Sequence, residues 1–189
     1  MKRQHNLLVA ALLATVAGIA IFAGCGSNSS DATTSQAEAS TPTEAGSSGA
    51  SFISAKGKNK IPRFGQEAGS DDREAASAVL QQNQDARAAR DWQGQCDTLT
   101  VALVKEYEKR AKFYKAGKTC AQGLGFEAKE APAAVLANTM TGPVDVLRID
   151  GDRAYALYHG PKGVNYAMPM RLEDGEWRVA EVKTITLPK

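Results

Sequence analysis

Few side chains in this sequence combine the type and the spacing that chemistry needs. Of two histidines, His5 belongs to a leader-like opening segment, so any Ser–His or Cys–His arrangement in the remainder must use His159. A multi-histidine metal site is thereby excluded. Asp145, Tyr155, Tyr158 and Tyr166 are the other groups that a proton-transfer site would draw on. Alternation along a strand puts Tyr155 and His159 on one face and Tyr158 on the other, so they do not all line one pocket. The plainer reading of His159 is a strand-end residue bonded to a loop. Met140, Met168 and Met170 would give adaptable lining to an apolar or amphipathic ligand, or else fill the core. The candidate pocket set is therefore Asp145, Tyr155, His159, Tyr166 and Met168. No residue is assigned as catalytic, and no cofactor or metal is expected. There is no phosphate loop, nucleotide fingerprint, zinc-type cysteine spacing or calcium loop, and Asp150-Gly151-Asp152 reads as a turn.

The opening of the chain bears on where this chemistry would operate. Lys2 and Arg3 start it, an uncharged apolar stretch runs from Leu7 to Phe22, and the small residues Ala23 and Gly24 lead to Cys25. A cationic start, an apolar middle and a small-residue cleavage site make a secretory signal peptide. The apolar run is shorter than the roughly 20 residues that span a bilayer comfortably. Taking Lys2 and Arg3 out of the 23 basic residues leaves 21 against 21 acidic ones. A neutral chain without a basic block is a poor candidate for nucleic acid, where phosphate neutralisation dominates affinity.

Phe22-Ala23-Gly24-Cys25 resembles the bacterial lipobox, with Phe22 where Leu is usual. The resemblance implies cleavage before Cys25 and a diacylglyceryl group on its sulfur, palmitate-like chains holding the protein to the outer face of the cell membrane. Two or more acyl chains give stable anchoring, whereas one is marginal. Outside the cytoplasm the remaining pair, Cys96 and Cys120, is most economically a disulfide, and nothing near either resembles Cys-x-x-Cys.

Residues 25–70 are rich in Ser, Thr, Ala and Gly and read as a disordered tether, because such a segment buries too little surface to offset its ordering entropy. A coil of about 45 residues spans roughly 35–40 Å. Near its end, Lys56, Lys58, Lys60 and Arg63 surround Ile61 and Phe64. Either this is a docking motif for a partner or an anionic polymer, or Ile61 and Phe64 pack on the domain as its first loop.

Residues 71–189 form the expected globular domain. Ser70 or Asp71 starts a helix in which Ala76, Val79, Leu80, Asn83 and Ala86 recur, ending near Arg90. A short helix runs through Cys96 and Leu99. Thr100 caps a third, and Thr119 a fourth that Gly123 and Gly125 should keep short. The period then changes to strands over 144–149, 153–159, 164–172 and 176–185, separated by Asp-Gly and Gly-Pro turns. Pro169 cannot donate to a ladder and marks a bulge or an edge. Helices followed by a meander make an α+β fold, with N-terminal helices packed on a curved four-stranded antiparallel sheet.

The segments ARDWQGQCDTL, CAQGL, VLRIDGDRAYALY and MPMRLEDGEWRVAEV resemble the NTF2-like superfamily, and within it small secreted actinobacterial-type lipoproteins. The match runs from about Asp71 to the C-terminus and is most specific at Asp91-Trp92, Cys96 and Gly175 to Val179. The resemblance implies a cone-like sheet wrapped by helices, often around a pocket. It spans enzymes and non-enzymes, so it does not settle activity. A non-catalytic small-molecule-binding domain is the leading expectation. The alternatives are an envelope protein-interaction module and an enzyme of the ketosteroid-isomerase or polyketide-cyclase kind. An empty cavity would favour the first, an exposed apolar patch the second, and a buried carboxylate facing a cavity the third.

Overall fold

Among the described residues, three of the five α-helices begin at side-chain caps, whereas the first follows Gly69 with no side-chain cap bond. In the computed structural model, which describes residues 48–189, α1 (Ser70–Ala89) carries Asp71 and Asp72 in its first turn, where the helix dipole favours negative charge. It ends at Arg90, whose left-handed backbone (φ 58°) lets the Asp91 N–H return to Ala86 O at 2.8 Å. Asp91 then caps α2 (Trp92–Asp97), accepting the Gly94 N–H at 2.9 Å. Thr100 caps α3 (Val101–Phe113), and Thr119 forms a reciprocal capping box with Gln122 at the start of α4 (Cys120–Glu127). A single-turn α5 (Ala133–Leu136) follows Pro132.

α4 is eight residues long, short as its two glycines suggest, and it passes through both, each of which serves a close approach. A Cβ at Gly123 would lie 2.3 Å from the Tyr107 carbonyl oxygen of α3, and one at Gly125 would lie 2.9 Å from the Trp92 ring. A disulfide joins Cys96 of α2 to Cys120 at the start of α4, with Cα atoms 6.2 Å apart.

The sheet is antiparallel and six-stranded: β1 (Gln66–Glu67), β2 (Val146–Asp150), β3 (Arg153–His159), β4 (Asn165–Glu173), β5 (Glu176–Val179) and β6 (Ile185–Thr186). The order is β1-β2-β3-β4-β5, with β6 also on β4. Asp174 (φ 52°) and Gly175 (φ 82°) make the tight β4–β5 turn that the Asp-Gly pair specifies.

The single fourth strand expected over 176–185 is instead two strands, and Pro169 accounts for the break. The Ala180 N–H donates to Pro169 O at 2.9 Å, but Pro169 has no N–H to return on that side. The β4–β5 ladder therefore stops at the Met170–Val179 pair and resumes only at Ala167–Ile185. Residues 181–184 are unpaired with β4 between these points.

Helices cover one face of the sheet. Ala76 and Leu80 of α1 pack there with Leu147, Met168, Trp177 and Val179. The Trp177 indole N–H donates to Asp72 at 3.1 Å, tying β5 to the start of α1.

The opposite face is covered too, by a strap formed from residues 48–64. Phe52 is 1% exposed and packs with Val146, Leu157, Ala167 and Leu187, and Ile61 joins this second cluster. The strap is locked by paired Ser54–Asn59 hydrogen bonds and by Ser54 Oγ donating to Lys189 O at 2.6 Å. Packed structure thus begins well before Asp71. Apolar residues spaced through a Gly- and Lys-rich stretch find the outer sheet face, and Gln66–Glu67 adds a strand to the β2 edge. Ile61 and Phe64 pack on the domain; Phe64 lies edge-on to Tyr155.

The leader, Cys25 and the tether up to residue 47 lie outside the described residues. Among the described residues no helix is long and apolar enough to cross a membrane.

Candidate functional site

The inward stripe of α1 runs Ala76, Leu80, Asn83, Gln84, Arg87. This is the spacing that puts side chains against a core. Its last three members are polar, so the second half of α1 carries a hydrogen-bonding cluster into the interior. Arg87 is only 6% exposed. Its Nη2 donates to Gln84 Oε1 and to Ala137 O (2.9 Å), and its Nη1 donates to Val182 O at 3.4 Å. Gln84 Oε1 also accepts the Thr139 N–H at 3.2 Å, and the Thr139 hydroxyl lies 2.9 Å from that of Tyr158. Beneath them Asn83 Nδ2 donates to Thr98 Oγ1 at 2.7 Å.

Burial pulls the Arg87 guanidinium below its ordinary value, with the Tyr158 hydroxyl acting in the opposite direction. Burial likewise pushes Tyr158 up, while its bonds to Thr139 and Thr184 offset part of that. Asn83 Oδ1, Gln84 Nε2 and Arg87 Nε are buried and have no hydrogen-bond partner among the described residues.

Arg87 forms part of the wall of a cleft of about 460 Å³. The α2 wall contributes Trp92 and Gln95, the α4 wall Leu124 and Ala128, and the α5 wall Val135 and Leu136. Tyr166 of β4 and residues 182–184 complete it. The gap in pairing opposite Pro169 leaves Val182, Lys183 and Thr184 at this rim. The volume falls in the range of small-molecule sites, and an apolar lining with a few converging polar groups is their usual composition. The disulfide clamps two of the walls, since it joins α2 to α4.

Of the candidate pocket residues, Tyr166 alone lines the cleft, stacked on Tyr158 with ring centroids 5.7 Å apart. Met168 is fully buried in the helix-side core, as is Met170, while Met140 packs at its margin. Tyr155 and His159 face the strap. The His159 ring stacks on Phe52 at 4.8 Å, and its Nδ1 lies 2.8 Å from Asn165 Oδ1. Asp145 is half-buried and accepts the His159 backbone N–H at 3.2 Å. The set therefore does not converge on one pocket, because strand alternation distributes it over two faces and the core.

No Asp or Glu is buried among the described residues. The one carboxylate on the cleft, Glu127, is held by Arg110 at 2.9 Å. Gln84, Arg87 and Gln95 are the interior polar groups that a search for histidines and carboxylates passes over. Their signal was positional: polar types at core spacing. Comparison with known proteins returns no matching family model, no matching curated protein and no matching solved structure.

Proposed function

We propose that this chain is a lipid-anchored, extracytoplasmic domain of NTF2-like architecture that holds a small amphipathic molecule in the cleft between its helices and its sheet. The observation that carries this reading is the cleft: about 460 Å³, apolar-walled, with Arg87, Gln95 and Thr139 converging on it. The NTF2-like assignment is supported by helices laid on one face of an antiparallel meander and by the segments around Asp91-Trp92 and Gly175 to Val179. Anchoring rests on the leader and on the small-residue pair before Cys25.

Two measurements test the proposal. Native mass spectrometry of the full chain purified from its host should find a retained small molecule. A clean apo mass, together with no thermal shift across a panel of amphipathic compounds, would overturn the binding role. Cys25→Ala should release the protein from the membrane fraction; unchanged membrane association would remove the anchor.

One observation favours a second role, contact with an envelope partner. Phe113 is 77% exposed at the end of α3, next to Tyr114, whose ring stacks on Phe126 of α4. Lys112 and Lys115 flank this aromatic pair in the sequence, and Lys129 Nζ lies 5.6 Å from the Phe126 ring centroid, so exposed apolar surface and positive charge sit together here. Replacing Phe113 and Tyr114 by Ser should abolish cell-surface cross-links while leaving ligand retention unchanged. Cross-links that survive the double replacement would dismiss this role.

A further inference from the structure

The charge of Arg87 has no counter-charge in the described structure. Its partners are an amide oxygen and two backbone carbonyls, all neutral. No carboxylate lies within ion-pair distance of it among the described residues, and Glu127 is committed to Arg110. A guanidinium has five N–H groups, and three are spoken for here. Nε is among those left without a partner. A buried cation lacking a counter-ion is costly, which is why buried charges in proteins are almost always paired. Here the unpaired cation sits in the wall of a cleft whose other surfaces are mainly Trp92, Leu124, Ala128, Val135, Leu136 and Val182. Lys183 at the rim adds a second positive charge to the same opening.

Resting on the ligand-binding reading above, we infer that the molecule held in this cleft carries a single carboxylate head on an apolar body, the head paired with Arg87 and the body lying against the α4 and α5 walls. Lys183 is exposed and screened by solvent, so Arg87 is the one buried positive charge at the cleft, and one buried guanidinium balances one negative charge, which favours a monoanionic head over a dianion. An apolar wall rewards the hydrocarbon part in proportion to the surface it removes from water. A charge-assisted hydrogen bond in this water-poor position is stronger than one between neutral groups.

Trp92 lines the cleft and reports occupancy through its fluorescence. The test titrates the full chain with decanoate and, separately, with decan-1-ol, which has the same chain and no charge. Decanoate should bind at least about ten-fold more tightly, a difference of roughly 1.4 kcal/mol. Arg87→Gln should erase that preference, lowering the affinity for decanoate at least about ten-fold more than that for decan-1-ol. A merely structural Arg87 would weaken both compounds together. Equal binding of acid and alcohol to the unaltered chain would overturn the head-group assignment and leave the cleft as a neutral-ligand site. Binding of neither would overturn the ligand-binding reading itself. If Arg87→Gln fails to fold, the acid–alcohol comparison on the unaltered chain decides alone.

Discussion

Arg87 occupies a place where the helical repeat asks for an aliphatic side chain. The spacing of Ala76 and Leu80 continues to Asn83, Gln84 and Arg87, so the buried polar cluster was legible as a run of polar types on the inward stripe of α1. Chemistry sought by residue type leads elsewhere, to His159, Asp145 and the tyrosines. His159 and Tyr155 share one face as alternation requires, yet that face belongs to the strap and not to the cleft. What residue-level reading lacks is the identity of the layer on each side of a sheet.

Tyr107 shows the same dependence on surroundings. Burial, with the Glu127 carboxylate nearby, pushes its hydroxyl up to about 12, against the opposing pull of Arg110. An unfolded tyrosine titrates near 10. The stabilising effect of keeping Tyr107 neutral is thus complete below about pH 10 and is lost as pH rises towards about 12. Urea unfolding should show stability falling across that window. Tyr107→Phe should flatten the fall, whereas an unchanged slope in the variant would assign the alkaline loss to other groups.

At the scale of elements, caps and turns were the legible part. Thr100 and Thr119 begin their helices, and Asp174-Gly175 makes its hairpin, because these signals act within a few residues. Elements fixed from a distance were not legible. α5 is one turn of an apolar run after Pro132, and β1 is two residues recruited by the free edge of β2. Pro169 announced an interruption, and the consequence lies across the ladder, where it parts β5 from β6.

The Cys96–Cys120 pairing, expected from an even pair outside the cytoplasm, is present and closes a separation of 24 residues. Replacing both cysteines by Ser should lower stability by about 3 kcal/mol, read from denaturant midpoints. Because the bridge fixes α2 to α4, the same variant should also bind decanoate more weakly. Full ligand affinity in a destabilised variant would mean that the cleft walls do not depend on the bridge.

For the molecule as a whole, the decisive feature is that the sheet is covered on both faces. Composition placed residues 25–70 in a tether, since they are rich in Ser, Thr, Ala and Gly, with Ile61 and Phe64 near its end open to packing as the domain's first loop. A few well-spaced apolar residues were enough to change that outcome, because the outer face offers Val146, Leu157 and Ala167 as a ready surface. Phe52→Ala should cost about 3–5 kcal/mol, as for other buried aromatic truncations. Thermal unfolding measures this, and a change below about 1 kcal/mol would show that the strap is an adornment and not part of the core.

The bond from Ser54 to the Lys189 carbonyl gives this layer another meaning. It brings the two ends of the described domain together, so that topologically the domain is close to a ring. Rings can be cut elsewhere: domains whose ends meet tolerate permutation at exposed sites. Gly142 lies exposed between the helical half and the β2 strand, with open space where a Cβ would be. A chain whose Lys189 is joined by a short linker to Ser48, so that Phe52 is kept, and which is opened at Gly142 would be synthesised with β2 to β6 first and the helices last. It would keep every layer described above while reversing the order in which they leave the ribosome.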